Sequence, residues 1–413
     1  MSRTLAPITA LLLSAAIYLA GNGLQTVLIP LAAGLNGISE GAIGLIGSIY
    51  FAGFALGCWQ GPRLLKRVGH IRAFTAMTAI ASASAAAYAL YPDVIAWSVL
   101  RFLTGIAFAV LYLVIESWLN ERATNDNRGT VFGLYTFINL TVVTAGQMMV
   151  TLYPADRVEL FLLNTILIAA AAVPIALSVA LAPAPVEAPT IRIGHLFRTA
   201  PAAVLGGFFV GLANGAFWML MPRYGVGIGM SIDNIATFMA AAVLTGAALQ
   251  IPLGKLSDGR DRRQVILLTA VLAGIAALAL GVLGEMGRSG LYVLVAGAAF
   301  GGFALPTYGI AVAHLNDWVE EGEFVEAAGG MLLTYAVGAV IGPLIASQAM
   351  AQFGPSALFF YIGATFLTLG LVLVYRIVRV SHTVDPEEQA GFVAVARTSV
   401  AAGVLDPRAE DEI

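Results

Sequence analysis

The chain is 413 residues long, 59% hydrophobic and 11% charged, with a formal net charge of −3 and a mean hydropathy of +0.87. A soluble domain needs roughly 25% charged residues to cover its surface, so this composition excludes a water-solvated fold and leaves lipid as the solvent. The single cysteine, Cys58, excludes an intramolecular disulfide and reads as a small packing residue in a Gly-rich stretch.

Apolar runs of about 20 residues, interrupted by Gly, Pro or charge, mark membrane-spanning helices. Twelve are predicted, near residues 6–31, 41–62, 72–91, 94–119, 129–152, 159–181, 200–223, 233–253, 264–284, 290–315, 325–350 and 356–378. Only helices satisfy every backbone group of such a span in hydrocarbon, so the expected fold is an all-α integral membrane protein. The first run is expected to be a retained span, because eleven more follow it. Ser39 and Ser231 precede the second and eighth runs as N-caps. Pro30 and Pro222 fall near the ends of the first and seventh, where a lost hydrogen bond costs least.

A constant offset of 192 residues pairs Asn22-Gly23 with Asn214-Gly215, Pro30 with Pro222, Gly37 with Gly229, Ser39 with Ser231, Ala55 with Ala247 and Leu64 with Leu256. The chain is therefore expected to be one six-helix design used twice, in halves 1–182 and 199–380. A Pro-rich linker (183–198) joins them, and a tail (381–413) follows. The tail's acids, among them Asp385, Glu387 and Glu388, predict a mobile, solvated segment to which no role is assigned. Seventeen Lys and Arg residues fall on one side of this topology against Arg157 and Arg288 on the other. That bias places the basic side and both termini in the cytoplasm.

The loop Gly254-Lys255-Leu256-Ser257-Asp258-Gly259-Arg260-Asp261-Arg262-Arg263 is the densest charge between two spans. Asp258 and Arg262 can pair across neighbouring helix ends and hold the cytoplasmic side closed; plain positive-inside charge is the alternative. The first-half counterpart carries Lys66 and Arg67 without the acid. In the fourth run Arg101, Gly105 and Ala109 share one helix face, where small residues let another helix approach. A charge at the depth of Arg101 costs about 3 kcal/mol on insertion scales, so it is expected to face a wet cavity or a partner, unless it snorkels to the outer interface. Glu116, one turn from the inner end of that run, reads either as a latch toward Arg128 or Arg67 or as a carrier of a coupled proton.

Amides and aromatics within spans supply the other cavity candidates: Asn22 and Gln25, then Tyr112, Asn139, Asn214 and Trp218, then Tyr308 and Tyr335. Asn22 and Asn214 are repeat mates expected to face each other, and each can equally serve a helix–helix hydrogen bond. His314 is expected at an interface, and Arg223 reads as an interfacial anchor. Gly146, Gly338 and Gly342 permit tight helix contact, and Pro343 lets span eleven bend.

The Gly254-x-Leu256-x-Asp258 motif with Asp261-Arg262-Arg263 resembles the signature between spans eight and nine of the major facilitator superfamily. Arg101 with Gly105 resembles its span-four motif. Leu111 to Trp118, Arg128-Gly129, Gly146-Gln147, Leu305-Pro306 and Tyr335-x-x-Gly338-x-x-x-Gly342-Pro343 look like a bacterial inner-membrane subgroup of the YcaD type, which Lys66 in place of the motif acid also matches. This resemblance covers nearly the whole chain apart from the tail. It implies the major facilitator fold, with two halves in the same orientation about a central site, and links Arg101 to substrate or proton handling. A Gly-Pro element in span five, associated with exporters in the superfamily, is absent here, so import and export both stay open.

The expected function is a secondary active or facilitative transporter of a small organic solute across the bacterial inner membrane by alternating access. Arg101 favours an anionic or zwitterionic solute; multidrug efflux by proton antiport is the rival. An intramembrane enzyme would need clustered His, Asp, Glu or Cys, and neither HExxH nor GxxxxGK occurs. No enzyme activity, cofactor, metal or nucleic-acid partner is expected. The expected partners are the solute, the lipid bilayer and, as an open alternative, a coupling proton, with the chain as a monomer.

Overall fold

The computed structural model describes residues 8–123, 128–178, 192–320, 323–379, 389 and 391–392. Among them are twelve spans long and apolar enough to cross a membrane. They are α1 (Thr9–Leu35), α2 (Glu40–Val68), α3 (His70–Leu90), α4 (Val94–Arg122), α5 (Arg128–Met148), α6 (Val158–Ala170), α7 (Pro201–Gly227), α8 (Ile232–Ser257), α9 (Arg262–Glu285), α10 (Leu291–Asn316), α11 (Phe324–Phe353) and α12 (Ala357–Arg379). A 3-10 turn, Met149–Leu152, extends α5, and the short helix Ala172–Ala176 continues α6 past Ala171. All twelve predicted spans are present.

The duplication governs the packing. In the first half α1 packs on α5 and α6, α2 on α4, and α3 on α4 and α6; in the second α7 packs on α11 and α12, α8 on α10, and α9 on α10 and α12. Each contact recurs six helices later. The halves meet through α2 against α11 and its repeat mate α5 against α8, with α1 against α7 between them. Local detail repeats as well. Ser39 and Ser231 each accept a backbone N–H three residues on. Gly37 and Gly229, with φ of 75° and 79°, turn the chain between α1 and α2 and between α7 and α8 in a conformation that side chains disfavour. Pro30 and Pro222 lie inside α1 and α7, each five residues before the end.

The outward faces carry large exposed apolar side chains such as Ile95, Ile166, Leu371 and Val378, which a bilayer would cover. Most linker residues lie outside the described ones. Arg192 and the short helix Ile193–Thr199 are ordered, with Arg192 bonded to Glu326 (Nε to Oε1, 2.9 Å) and Glu323 (3.1 Å) at the start of α11. Those bonds, Glu326 first, raise the guanidinium pKa. Of the tail, residues 389, 391 and 392 are among the described ones, and Gln389 and Phe392 are not the free, solvated residues expected. Gln389 and Phe392 are bonded to the loop between α8 and α9, because that loop offers unpaired backbone groups and a carboxylate oxygen.

Candidate functional site

Between the halves lies a cavity of about 240 Å³, just below the roughly 300–1,000 Å³ of typical ligand pockets. It draws on helices of both halves, as the repeat requires. The first half contributes Asn22 and Thr26 of α1, Tyr50, Phe51 and Phe54 of α2, Tyr112 of α4, and Thr136 and Asn139 of α5. The second contributes Trp218 of α7, Val243, Ala247 and Gln250 of α8, Tyr308 and Gly309 of α10, and Tyr335 of α11. Among the described lining residues none is charged.

Six of the sequence-derived candidates meet here: Asn22, Tyr112, Asn139, Trp218, Tyr308 and Tyr335. The Asn22 amide donates to the Tyr112 hydroxyl at 3.3 Å. Tyr308 and Tyr335 pack edge to face, with ring centroids 5.4 Å apart, which holds both rings at the second-half wall.

Three candidates do not reach the cavity. Arg101 is buried behind Tyr50, its guanidinium 4.6 Å from that ring's centroid. It donates to Gln25 Oε1 at 3.3 Å and lies against Met219 Sδ of the other half. No carboxylate pairs with it among the described residues. Gln25 is thus spent on Arg101 and fully buried. Asn214 is also buried, with no hydrogen bond to its amide among the described residues and no place in the cavity lining beside Asn22. Side chains on a helix lean over the preceding turn, and Trp218, four residues on, takes the cavity face instead.

One end of the bundle carries the Lys- and Arg-rich loops; here it is the basic end, and the opposite one the far end. At the far end the halves are joined. Arg223 Nε donates to Glu40 Oε1 at 3.0 Å, tying α7 to α2. Arg223 is therefore a bridge between halves, not an interfacial anchor, because Glu40 opens α2 directly opposite it. Nearby, a Cβ on Gly44 would overlap Ser347 of α11, and one on Gly41 would meet Gln348 at 2.7 Å. At these contacts the far end is bridged between the halves.

At the basic end Arg262 pairs with Asp258 (3.1 Å) and, through Nε, with Asp317 (2.6 Å), and donates to Ser257 Oγ at 2.7 Å. Arg262 and Asp317 are almost fully buried, at 1% and 2% side-chain exposure. This cluster ties the ends of α8, α9 and α10 together within one half, so the pairing staples a half instead of bridging the two. Lys66 and Arg67 are exposed and make no ion pair among the described residues, which removes the Glu116–Arg67 latch. Glu116 is buried and accepts from the Tyr135 hydroxyl at 3.3 Å. The side chain of Arg128 lies outside the described residues, and so does the Glu116–Arg128 pairing. His314 is buried edge-on to Trp318, away from the cavity.

The packing glycines lie at close helix contacts. A Cβ on Gly105 would overlap the Tyr50 carbonyl of α2, and one on Gly338 the Phe208 carbonyl of α7. Gly146 and Gly342 stand likewise against Ala20 of α1 and Leu212 of α7. Pro343 lies within the continuous helix α11, its carbonyl facing Gly44.

Sequence reasoning missed Tyr50, Phe51, Phe54, Gln250, Glu40 and Asp317. For Gln250 the repeat held a signal, since its mate at the 192-residue offset is Cys58. A polar residue standing in for an apolar mate marks a place where the two halves have different work.

Twelve spans in two like halves, with a solute-sized cavity between them, define a multi-pass membrane transport fold. The family model of the Major Facilitator Superfamily matches residues 11–231 and 203–405. An uncharacterized MFS-type transporter of Enterobacter sp. (strain 638) is 27% identical over 91% of this chain and 97% of its own. The uncharacterized MFS-type transporter YcaD of Escherichia fergusonii is 28% identical over 83% and 88%. Among solved structures, a variant of the nucleoside transporter NupG aligns with a TM-score of 0.78 at 10% identity, covering 89% of this chain and 99% of that one. A D-xylose-proton symporter aligns with a TM-score of 0.66 at 14% identity, covering 89% and 97%. The chain belongs to the Major Facilitator Superfamily. It is a bacterial membrane transporter and not an enzyme.

Proposed function

We propose that this transporter carries a small, uncharged, ring-bearing solute across the bacterial inner membrane by alternating access, with the basic end and both termini in the cytoplasm. The observation that carries this reading is the lining. Amides (Asn22, Asn139, Gln250) and phenols offer hydrogen bonds, Trp218 and the tyrosines offer stacking faces, and the described lining residues carry no charge to hold an ion. The fold neighbours handle a nucleoside and D-xylose, both uncharged ring compounds, which is in keeping with it. The bias of seventeen basic residues to two supports the orientation. Arg101 favours a second reading, an anionic solute, because its charge has no carboxylate partner among the described residues and lies only one ring behind the cavity. The same charge opposes a cationic drug.

Thermal unfolding in detergent with a solute panel tests this. A ligand bound only by the folded state adds about 2.7 kcal/mol at a hundredfold excess over Kd. An uncharged ring compound is expected to stabilise the protein and Arg101→Gln, but not Trp218→Ala. Stabilisation by carboxylates, lost in Arg101→Gln, would move the solute to the anionic class. Stabilisation by lipophilic cations would overturn both.

A further inference from the structure

On α8 and α10 the cavity residues Gln250 and Gly309 stand next to a residue of the C-terminal segment, Phe392. Val243, Ala247 and Gln250 line the cavity, and Gly254 continues the same stripe of α8 one turn on. The Phe392 ring fills the space over that glycine, where any Cβ would overlap its Cδ1. The tip of the same ring lies 3.5 Å from a Cβ built on Gly309 of α10, and Gln250 Nε2 lies 3.7 Å from that point. Gly309 and Gln250 are both cavity residues. Phe392 thus occupies the groove between α8 and α10 at the cavity's edge, packed against the hydrophobic core.

Three hydrogen bonds hold it there. Gln389 Oε1 accepts from the Gly259 N–H at 3.1 Å, and its Nε2 donates to the Arg260 carbonyl at 3.0 Å. The Phe392 N–H donates to Asp258 Oδ1 at 2.9 Å, the same oxygen that receives Arg262. Gln389 and Phe392 are therefore stitched to the loop between α8 and α9, with the Phe392 ring tip beside the cavity residue Gly309.

We propose that Gln389 and Phe392 form an autoinhibitory strap whose Phe392 side chain stoppers the solute cavity on its basic side. With the halves bridged at the far end, the strap assigns solute exchange to the basic side, and the ring obstructs that route. The ring also fills the groove where α8 and α10 face the first half, so it must leave before the halves can close at this end. Release of the strap then sets the rate of the transport cycle. This regulation rests on reading the cavity as the solute site.

The test places one reporter thiol in the cavity, Ala247→Cys in a Cys58→Ser background, in membrane vesicles with the basic side exposed, and measures its rate of modification by N-ethylmaleimide. Phe392→Ala is expected to speed modification several-fold, and Gln389→Ala, which removes two of the three tethers, to speed it in the same direction. Gly254→Val should do likewise by evicting the ring. Unchanged or slower modification in Phe392→Ala and Gln389→Ala would overturn the strap. The readout needs no solute, so the two readings fail separately. Faster labelling alongside a solute panel that stabilises nothing sinks the solute assignment and leaves the strap; a clear solute with unchanged labelling does the reverse.

Discussion

Arg223 and Glu40 each stand where the repeat mate is apolar, Leu31 and Ile232 respectively, and together they make the ion pair that joins the halves at the far end. Both side chains are partly exposed, at 18% and 25%, so the pair is a latch that water can help to open. Glu40→Gln is expected to weaken far-end closure by about 1–2 kcal/mol, the worth of a charge-assisted hydrogen bond. That shift should appear as faster thiol modification of a cysteine placed at Met219. The Arg262–Asp317 pair differs because it is almost fully buried. Removing one partner of such a pair strands the other charge, at about 3–5 kcal/mol, so Asp317→Asn should lower the unfolding temperature markedly. Arg192→Ala, at a side chain 57% exposed, should barely move it. If the two variants unfold alike, the staple reading of Arg262 is wrong.

The helices come together through glycine. At Gly105 and Gly338 the partner's backbone carbonyl stands where a Cβ would be, so these contacts are set by main chain against main chain. Gly338→Val is expected to abolish monodisperse protein, because neither α7 nor α11 can yield without repacking its half. Gly133→Ala, with nothing within 4 Å of the new Cβ, should be neutral or stabilise by up to about 1 kcal/mol, as helix propensity alone dictates. Size-exclusion profiles after detergent extraction distinguish the two. At this scale the sequence was most legible, since a run of apolar residues has only one way to satisfy its backbone in lipid. The boundaries were less so. The expected span 41–62 is in fact Glu40–Val68, because hydropathy marks where hydrocarbon ends and a helix carrying Lys66 and Arg67 runs on into water.

For the whole molecule, the duplicated contacts and a cavity at the junction are what the proposed rocking of the two halves rests on. Polar and aromatic residues that interrupt apolar spans led to six cavity residues, from Asn22 to Tyr335. The same logic misplaced Arg101, Gln25 and Asn214, because helical periodicity says which face a residue is on and not what covers that face. Tyr50, Phe51 and Phe54 were invisible for the opposite reason: aromatic side chains in a span look the same whether they face lipid or solute. The Phe392 contact had no signature either, since a lone aromatic in a polar tail gains its meaning only from the groove it enters.

The claim that the halves rock about the cavity is tested most directly by measuring two distances in one background. Spin labels at Leu35→Cys and Val226→Cys report the far end, and labels at Arg72→Cys and Arg260→Cys the basic end, each pair in Cys58→Ser with and without Glu40→Gln. Unlatching the far end is predicted to lengthen the first distance and shorten the second. A basic-end distance that stays fixed while the far end opens would contradict the account.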